Sequence, residues 1–251
     1  MPQSGEGLIR LFDHFCGPEI PVANAVAYGT SAGGCNYYIG DFKIVGDLGE
    51  TDTGIVSISK AGGFVRVSGN NEDGKGAAIA TEVVFSPALN GTLVCEARLE
   101  LQALTTRSVF VGFCGLIADD VAEPCTSTTT TITKVADDYC GFILDSQFTA
   151  GTQWHMPYNG GSTTGPTTGA TVAVGSGIVA VAAESDFLRV EIDPNGTARW
   201  FINGALEQTV VNAVSTTALQ GAMVGCWGTT TTAADIDVDY FLVTAFTDWT
   251  R

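Results

Sequence analysis

Hydrophobic and polar residues alternate with a period of two over much of this chain, and Leu93–Leu101 is the cleanest case. Leu93, Cys95, Ala97, Leu99 and Leu101 fall on one face, and Glu96, Arg98 and Glu100 fall on the other. Such a segment is a half-buried strand. Asp186 to Gly204 repeats the pattern twice around Asp193-Pro194-Asn195-Gly196, whose Pro and Asn-Gly favour a tight turn, so it reads as a β-hairpin. In its second arm Ala198, Trp200 and Ile202 share the inward face, and Asn203-Gly204 marks a further turn. Residues 109–116 are apolar on both faces, as in a central strand covered on both sides.

Shorter strands are predicted around Ile55–Ser59, Phe64–Val67, Ile79–Phe85, Tyr139–Leu144, Gln153–Tyr158, Val210–Val214 and Met223–Trp227. The closing strand is predicted over 235–243, with Ile236, Val238, Tyr240 and Leu242 on one face and Asp235, Asp237 and Asp239 forming an acidic, solvent-facing stripe. The acidic, Thr-rich stretch 119–138 is a long surface loop or an added hairpin. No long helix is evident. Many short strands imply an all-β, two-sheet antiparallel jelly-roll sandwich, with residues 1–10 as an N-terminal arm and 11–251 as one domain.

Composition supports a well-buried globular chain: 45% of residues are hydrophobic, 15% are charged, and 31 are glycine. The formal net charge is −16, with only 11 Lys and Arg scattered along the sequence. Phosphate recognition needs clustered cations, so a nucleic-acid partner is excluded, and an anionic membrane surface repels the chain. No basic region followed by an apolar core opens the sequence, and no apolar run approaches a membrane span. The seven cysteines include no C-x-x-C pair and read as reduced thiols, with Cys125 and Cys140 the best-placed exception.

Candidate chemistry is sparse. His14 and His155 are too few for a three-histidine metal site, and the carboxylates of the 70–76 turn match no calcium loop, so no metal and no cofactor is expected. Gly29-Thr30-Ser31-Ala32-Gly33 fits the G-x-S-x-G string but leads into no helix, which makes it a Gly-rich loop. Glu96 and Glu100 face the same way at roughly 13 Å, beyond either hydrolytic spacing. Trp200 reads as core, whereas Trp154 and Tyr158, beside the Gly/Thr-rich segment 159–169, are the candidates for stacking against a glycan.

The order of several motifs resembles the concanavalin A-like (laminin G/laminarinase-type) β-sandwich over most of the chain. Phe12–Gly17 resembles the opening strand of those domains, and Gly91–Leu99 resembles their strand bearing E-A-R. The hairpin Leu188–Gly204 is similar to their strand-turn-strand element ending in N-G, and Val238–Val243 is similar to their closing strand. The resemblance implies that hydrolysis would need E-x-D-x-E on a strand soon after E-A-R. Here the following strand reads Phe110–Gly115, and the string occurs nowhere. The expectation is therefore a non-enzymatic protein with no catalytic residues.

A narrower likeness joins Ala136–Asp145, Trp154, the Arg189–Asp193 hairpin and Val238-Asp239-Tyr240. In these the chain resembles sandwich proteins of tailed-bacteriophage virions. That implies a capsid decoration, cement or head-fibre protein, made in the host cytoplasm and displayed on the outer virion surface. Its partner would be the major capsid protein, with Leu8, Ile9 and Arg10 of the arm as contacts to the shell or to sister subunits of a homotrimer. The alternative is a lectin-like carbohydrate-binding module using Trp154 and Tyr158.

Overall fold

Nine residues run through the middle of the molecule as the strand the alternation predicts. In the computed structural model, which describes residues 7–16, 37–46, 54–69, 71–118, 121–167 and 178–247, Leu93–Leu101 is β7. Leu93, Cys95, Ala97, Leu99 and Leu101 are all buried, and the alternate positions, Val94 among them, are half-buried. β7 lies in an eight-stranded antiparallel sheet with β1 (Leu8–Asp13), β4 (Gly54–Ile58), β5 (Phe64–Gly69), β13 (Ser185–Ile192), β14 (Ala198–Ile202), β15 (Ala205–Val210) and β17 (Ala234–Phe246). The order is β15-β14-β13-β7-β17-β5-β4, with β1 also pairing β17.

The predicted hairpin is β13–β14. Its turn is closed by the Gly196 N–H donating to Asp193 O at 2.8 Å, and Gly196 takes φ +78°. Ala198, Trp200 and Ile202 point into the core as expected. Asn203 and Gly204, at φ +51° and +84°, make the next turn into β15, a backbone that Asn-Gly adopts with little strain.

The facing sheet has seven strands in the order β12-β11-β8-β16-β6-β3-β2. These are β2 (Tyr37–Ile39), β3 (Phe42–Gly46), β6 (Gly76–Ala80), β8 (Arg107–Cys114), β11 (Tyr139–Asp145), β12 (Tyr158–Asn159) and β16 (Gly221–Gly228). One short helix, α1 (Pro87–Asn90), precedes β7. Burying the two inner faces against each other forms the main core, the dominant stabilising term in such a sandwich.

β8 is apolar on both faces because both are covered. Val109, Val111 and Phe113 enter the main core, while Phe110 and Cys114 enter a second cluster on the outer face of the seven-stranded sheet. The cover is the 119–138 insertion, whose described part forms a hairpin of β9 (Cys125–Thr128) and β10 (Thr131–Lys134). Val121, Cys125, Ile132 and Ala136 pack onto Phe110, Tyr139, Ile143 and Trp227. Cys125 and Cys140 therefore sit in different clusters, and all six described cysteines are free thiols.

Two expectations need correction. Leu8, Ile9 and Arg10 are not part of a free arm: they are the first residues of β1, hydrogen-bonded along β17, with Ile9 packed against the core. The closing strand also does not keep one face throughout. Its pairing with β7 shifts between Val238 and Tyr240, leaving Asp239 as an extra residue. This bulge turns Phe241, Val243 and Ala245 inward and Tyr240 outward.

Candidate functional site

The bulge at Asp239 brings Tyr240 onto the outer face of the eight-stranded sheet, where two rows of side chains cross the strands. In one row Phe201 of β14 faces Arg189 of β13, which faces Glu96 of β7. In the next, Phe187 of β13 faces Arg98 of β7, which faces Tyr240. Strand alternation puts all six on the same side. Together with Glu191, Asn203 and Gly204, residues Glu96, Phe187, Arg189 and Phe201 line a groove of about 560 Å³.

Every charged group in the groove is held. The Tyr240 hydroxyl donates to Glu96 Oε1 at 2.6 Å, and Arg189 Nη1 donates to Glu96 Oε2 at 3.4 Å. Arg189 also donates to Glu191 Oε1, from Nε at 2.8 Å and from Nη2. Glu191 Oε2 accepts from Arg199 Nε at 3.3 Å, and Arg199 in turn grips Asp193 through two bonds of 2.6 and 2.7 Å. The hydrogen bond from Arg199 holds the Asp193 carboxyl below the usual carboxylate range. Burial, then the bond to Glu96, pushes the Tyr240 phenol well above its usual range, so it acts as a donor.

Aromatic rings frame these charges. Phe187 is 43% exposed, and its ring centroid lies 6.3 Å from that of Tyr240. Tyr240 continues to Phe12 at 5.9 Å and to His14 at 6.0 Å. Arg98 lies 5.3 Å from the Phe187 ring centre, and Arg189 lies 6.0 Å from that of Phe201. Asn203 fixes the rim: its Oδ1 accepts the Phe187 N–H at 2.9 Å, and its Nδ2 donates to Asp186 at 3.1 Å.

The residues predicted to stack on a glycan lie elsewhere. Trp154 is fully buried in the main core, where its indole N–H donates to Asp186 Oδ2 at 2.9 Å. Tyr158 is 9% exposed, with its ring centroid 5.9 Å from that of Trp200. Neither offers a free face. The acidic stripe is likewise not solvated throughout, since Asp237 and Asp239 are buried and paired with Arg66 and Arg98. Glu100 pairs with Lys60. His155 is buried against Phe148, whereas His14 is exposed beside Phe12. The G-x-S-x-G string at 29–33 lies outside the described residues.

Sequence reasoning treated Phe187, Arg189 and Glu191 as an ordinary wet face. The available signal was Phe187 and Phe201, two large apolar residues at outward positions of one hairpin.

A search of solved structures places this architecture. A β-glucanase from Bacillus licheniformis is similar over 97% of this chain and 99% of its own, with a TM-score of 0.56 and 12% identity. A protein of unknown function from Shewanella oneidensis MR-1 is similar over 100% of this chain and 92% of its own, at 0.56 and 11%. The carbohydrate recognition domain of Emp46p is similar over 81% and 87%, at 0.50 and 8%. The fold is a concanavalin A-like jelly roll. No protein-family model and no curated protein matches the chain.

The glucanase match corrects the expectation of a non-enzymatic protein. A fold shared with a β-glucanase over nearly the whole length of both chains leaves that expectation without support. The missing E-x-D-x-E string removes one arrangement of carboxylates, not enzyme activity as such.

Proposed function

We propose that this protein is a carbohydrate-active jelly roll that seats a neutral saccharide in the groove over Phe187 and Phe201. The observation that carries the reading is the groove itself, an exposed Phe187 and a half-buried Phe201 bordered by carboxylates, a guanidinium and an amide. Sugar rings have apolar faces that stack on aromatics and hydroxyl rims that seek charged acceptors and donors. Two fold neighbours, a β-glucanase and a carbohydrate recognition domain, support the same chemistry. A net charge of −16, with Arg189 already bonded to Glu96 and Glu191, disfavours uronate or sulfated glycans.

Calorimetric titration with neutral oligosaccharides tests the site. Phe187→Ala is expected to weaken binding about tenfold, equivalent to about 1.4 kcal/mol. Tyr158→Phe is expected to leave affinity unchanged. Equal affinity in the Phe187 variant would refute the groove as the site. Release of reducing ends from the same glycans reads hydrolysis, and its loss in Glu96→Gln with binding retained would assign Glu96 to the chemistry.

A second reading, attachment to a phage head through the major capsid protein, draws on a different surface. Leu8 and Phe246, opposed in β1 and β17, are 47% and 45% exposed and form an apolar edge. Co-sedimentation with capsids lacking the protein tests it.

A further inference from the structure

The cap over the seven-stranded sheet closes on a carboxyl group that lacks a counter-charge. Ser108 of β8 is opposed in register by Asp145 of β11 on one side and Trp227 of β16 on the other. Above this row sits Glu123, two residues before β9 and only 8% exposed. Its Oε2 has no hydrogen-bond partner, and neither does Ser108 Oγ, which is 99% buried.

Apart from the Ser108 hydroxyl, which favours the carboxylate, the groups around Glu123 do not favour a charge there. Asp145 on β11 and Asp73 on the β5–β6 turn are both acids. Asp145 is itself occupied by Ser127 Oγ and by the Gln147 N–H at 2.8 Å, and Asp73 accepts from Gln147 Nε2 at 3.4 Å. The thiols of Cys125 on β9 and Cys226 on β16 feel the same carboxyl and are held protonated by burial. Arg107, on β8, directs its guanidinium to the carbonyls of Thr105 and Asp235. Among the described residues no ion pair reaches Glu123.

The cap is joined to the rest of the molecule at several polar points. The Thr129 N–H donates to Gln147 O at 2.8 Å, Thr129 O accepts from the Thr149 N–H at 2.7 Å, the Ile132 N–H donates to Thr167 O at 2.9 Å, and Ser127 Oγ donates to Asp145. Trp227 Nε1 donates to Val121 O at 3.1 Å, and the N–H groups of Val135 and Ala136 donate to Pro124 O, within the cap itself. These bonds and the apolar contact of Val121, Cys125, Ile132 and Ala136 together seat it on the sheet.

We propose that Glu123 is a proton-controlled latch: while it is neutral the 121–136 cap stays seated on the outer face of the seven-stranded sheet, and losing its proton lifts the cap. A charged Glu123 faces two acids from a buried position, and the cap is the only one of these elements not built into the main sandwich. Burial, reinforced by the charge of Asp145, pushes its carboxyl up to about 8, which places the transition in a mildly alkaline range. Lifting exposes Phe110, Ile143 and Trp227 while leaving the aromatic groove on the opposite sheet intact.

Hydrogen exchange of the whole protein at pH 6 and pH 9, corrected for intrinsic rates, tests the latch. Protection of peptides within 121–136 is expected to fall at least tenfold between the two, reversibly, while β7 and β17 stay protected. Glu123→Gln is expected to abolish the step, and Glu123→Met serves as a second neutral variant of similar volume should the first fold poorly. Equal protection of the cap at both pH values, or an undiminished step in the neutral variants, would overturn the proposal.

Discussion

Trp154→Ala is expected to lower the stability of the protein by about 3–5 kcal/mol, the usual cost of removing a large buried aromatic side chain. Trp154 is fully buried, meets Phe142 edge-on with ring centroids 6.4 Å apart, and ties β13 to the core through its bond to Asp186. Truncation leaves a cavity and removes one partner of that carboxylate. In a chain of this size the midpoint of thermal unfolding should fall by about 6–20 °C. Folded variant should still bind saccharide within a few-fold of the parent, because the groove is on the outside of the sheet. Thermal melts paired with titration separate the two roles. An unchanged melting point with binding lost would return Trp154 to the glycan platform that its sequence neighbourhood suggests.

The second large effect is on the pH dependence of stability. The Glu123 carboxyl titrates at about 8 when folded, against an ordinary value of 4.5. Between those values the unfolded chain has released this proton and the folded protein has kept it. Stability from this group is therefore full below about pH 4.5 and is lost as pH rises to 8, on the order of 5 kcal/mol in all. Burial raises Asp145 in the same sense. Asp193, lowered by Arg199, acts oppositely and loses its contribution on acidification. Over pH 5.5 to 8 the unfolding free energy from denaturant titrations should fall in the parent and stay nearly flat in Glu123→Gln. Parallel curves for the two proteins would contradict the assignment.

How much of this was legible depends on which residues carried the information. β7 and the β13–β14 hairpin were readable because each has one buried and one wet face, so a period of two maps directly onto structure. β8 was readable as a strand covered twice, but the identity of its outer cover was not. The Thr run of 128–131 carries strand propensity with no register, and Ile132, just after it, is the nearest buried apolar anchor on β10.

The closing strand failed for a different reason. Asp239 continues a perfect alternation in the sequence, and only pairing with β7 shows that it is an inserted residue. Because the side-chain period is two, one such residue reverses the face of everything after it. That reversal puts Tyr240 beside Glu96, so the candidate site depended on a feature the pattern hides. Trp154 and Tyr158 misled through composition: their Gly/Thr-rich neighbourhood suggested exposure, while the rings themselves fill the core. Arg66 and Arg98 show the same limit for charge, since a row of acids on one strand reads as solvated until its partners on β5 and β7 are known.

The central claim is where a saccharide sits, and a crystal structure with a bound neutral oligosaccharide tests it most directly. The account predicts sugar rings over Phe187 and Phe201, with hydroxyls within hydrogen-bond distance of Glu96, Arg189 or Glu191. Sugar bound on the capped face of the seven-stranded sheet, or beside Tyr158 with the groove empty, would contradict it.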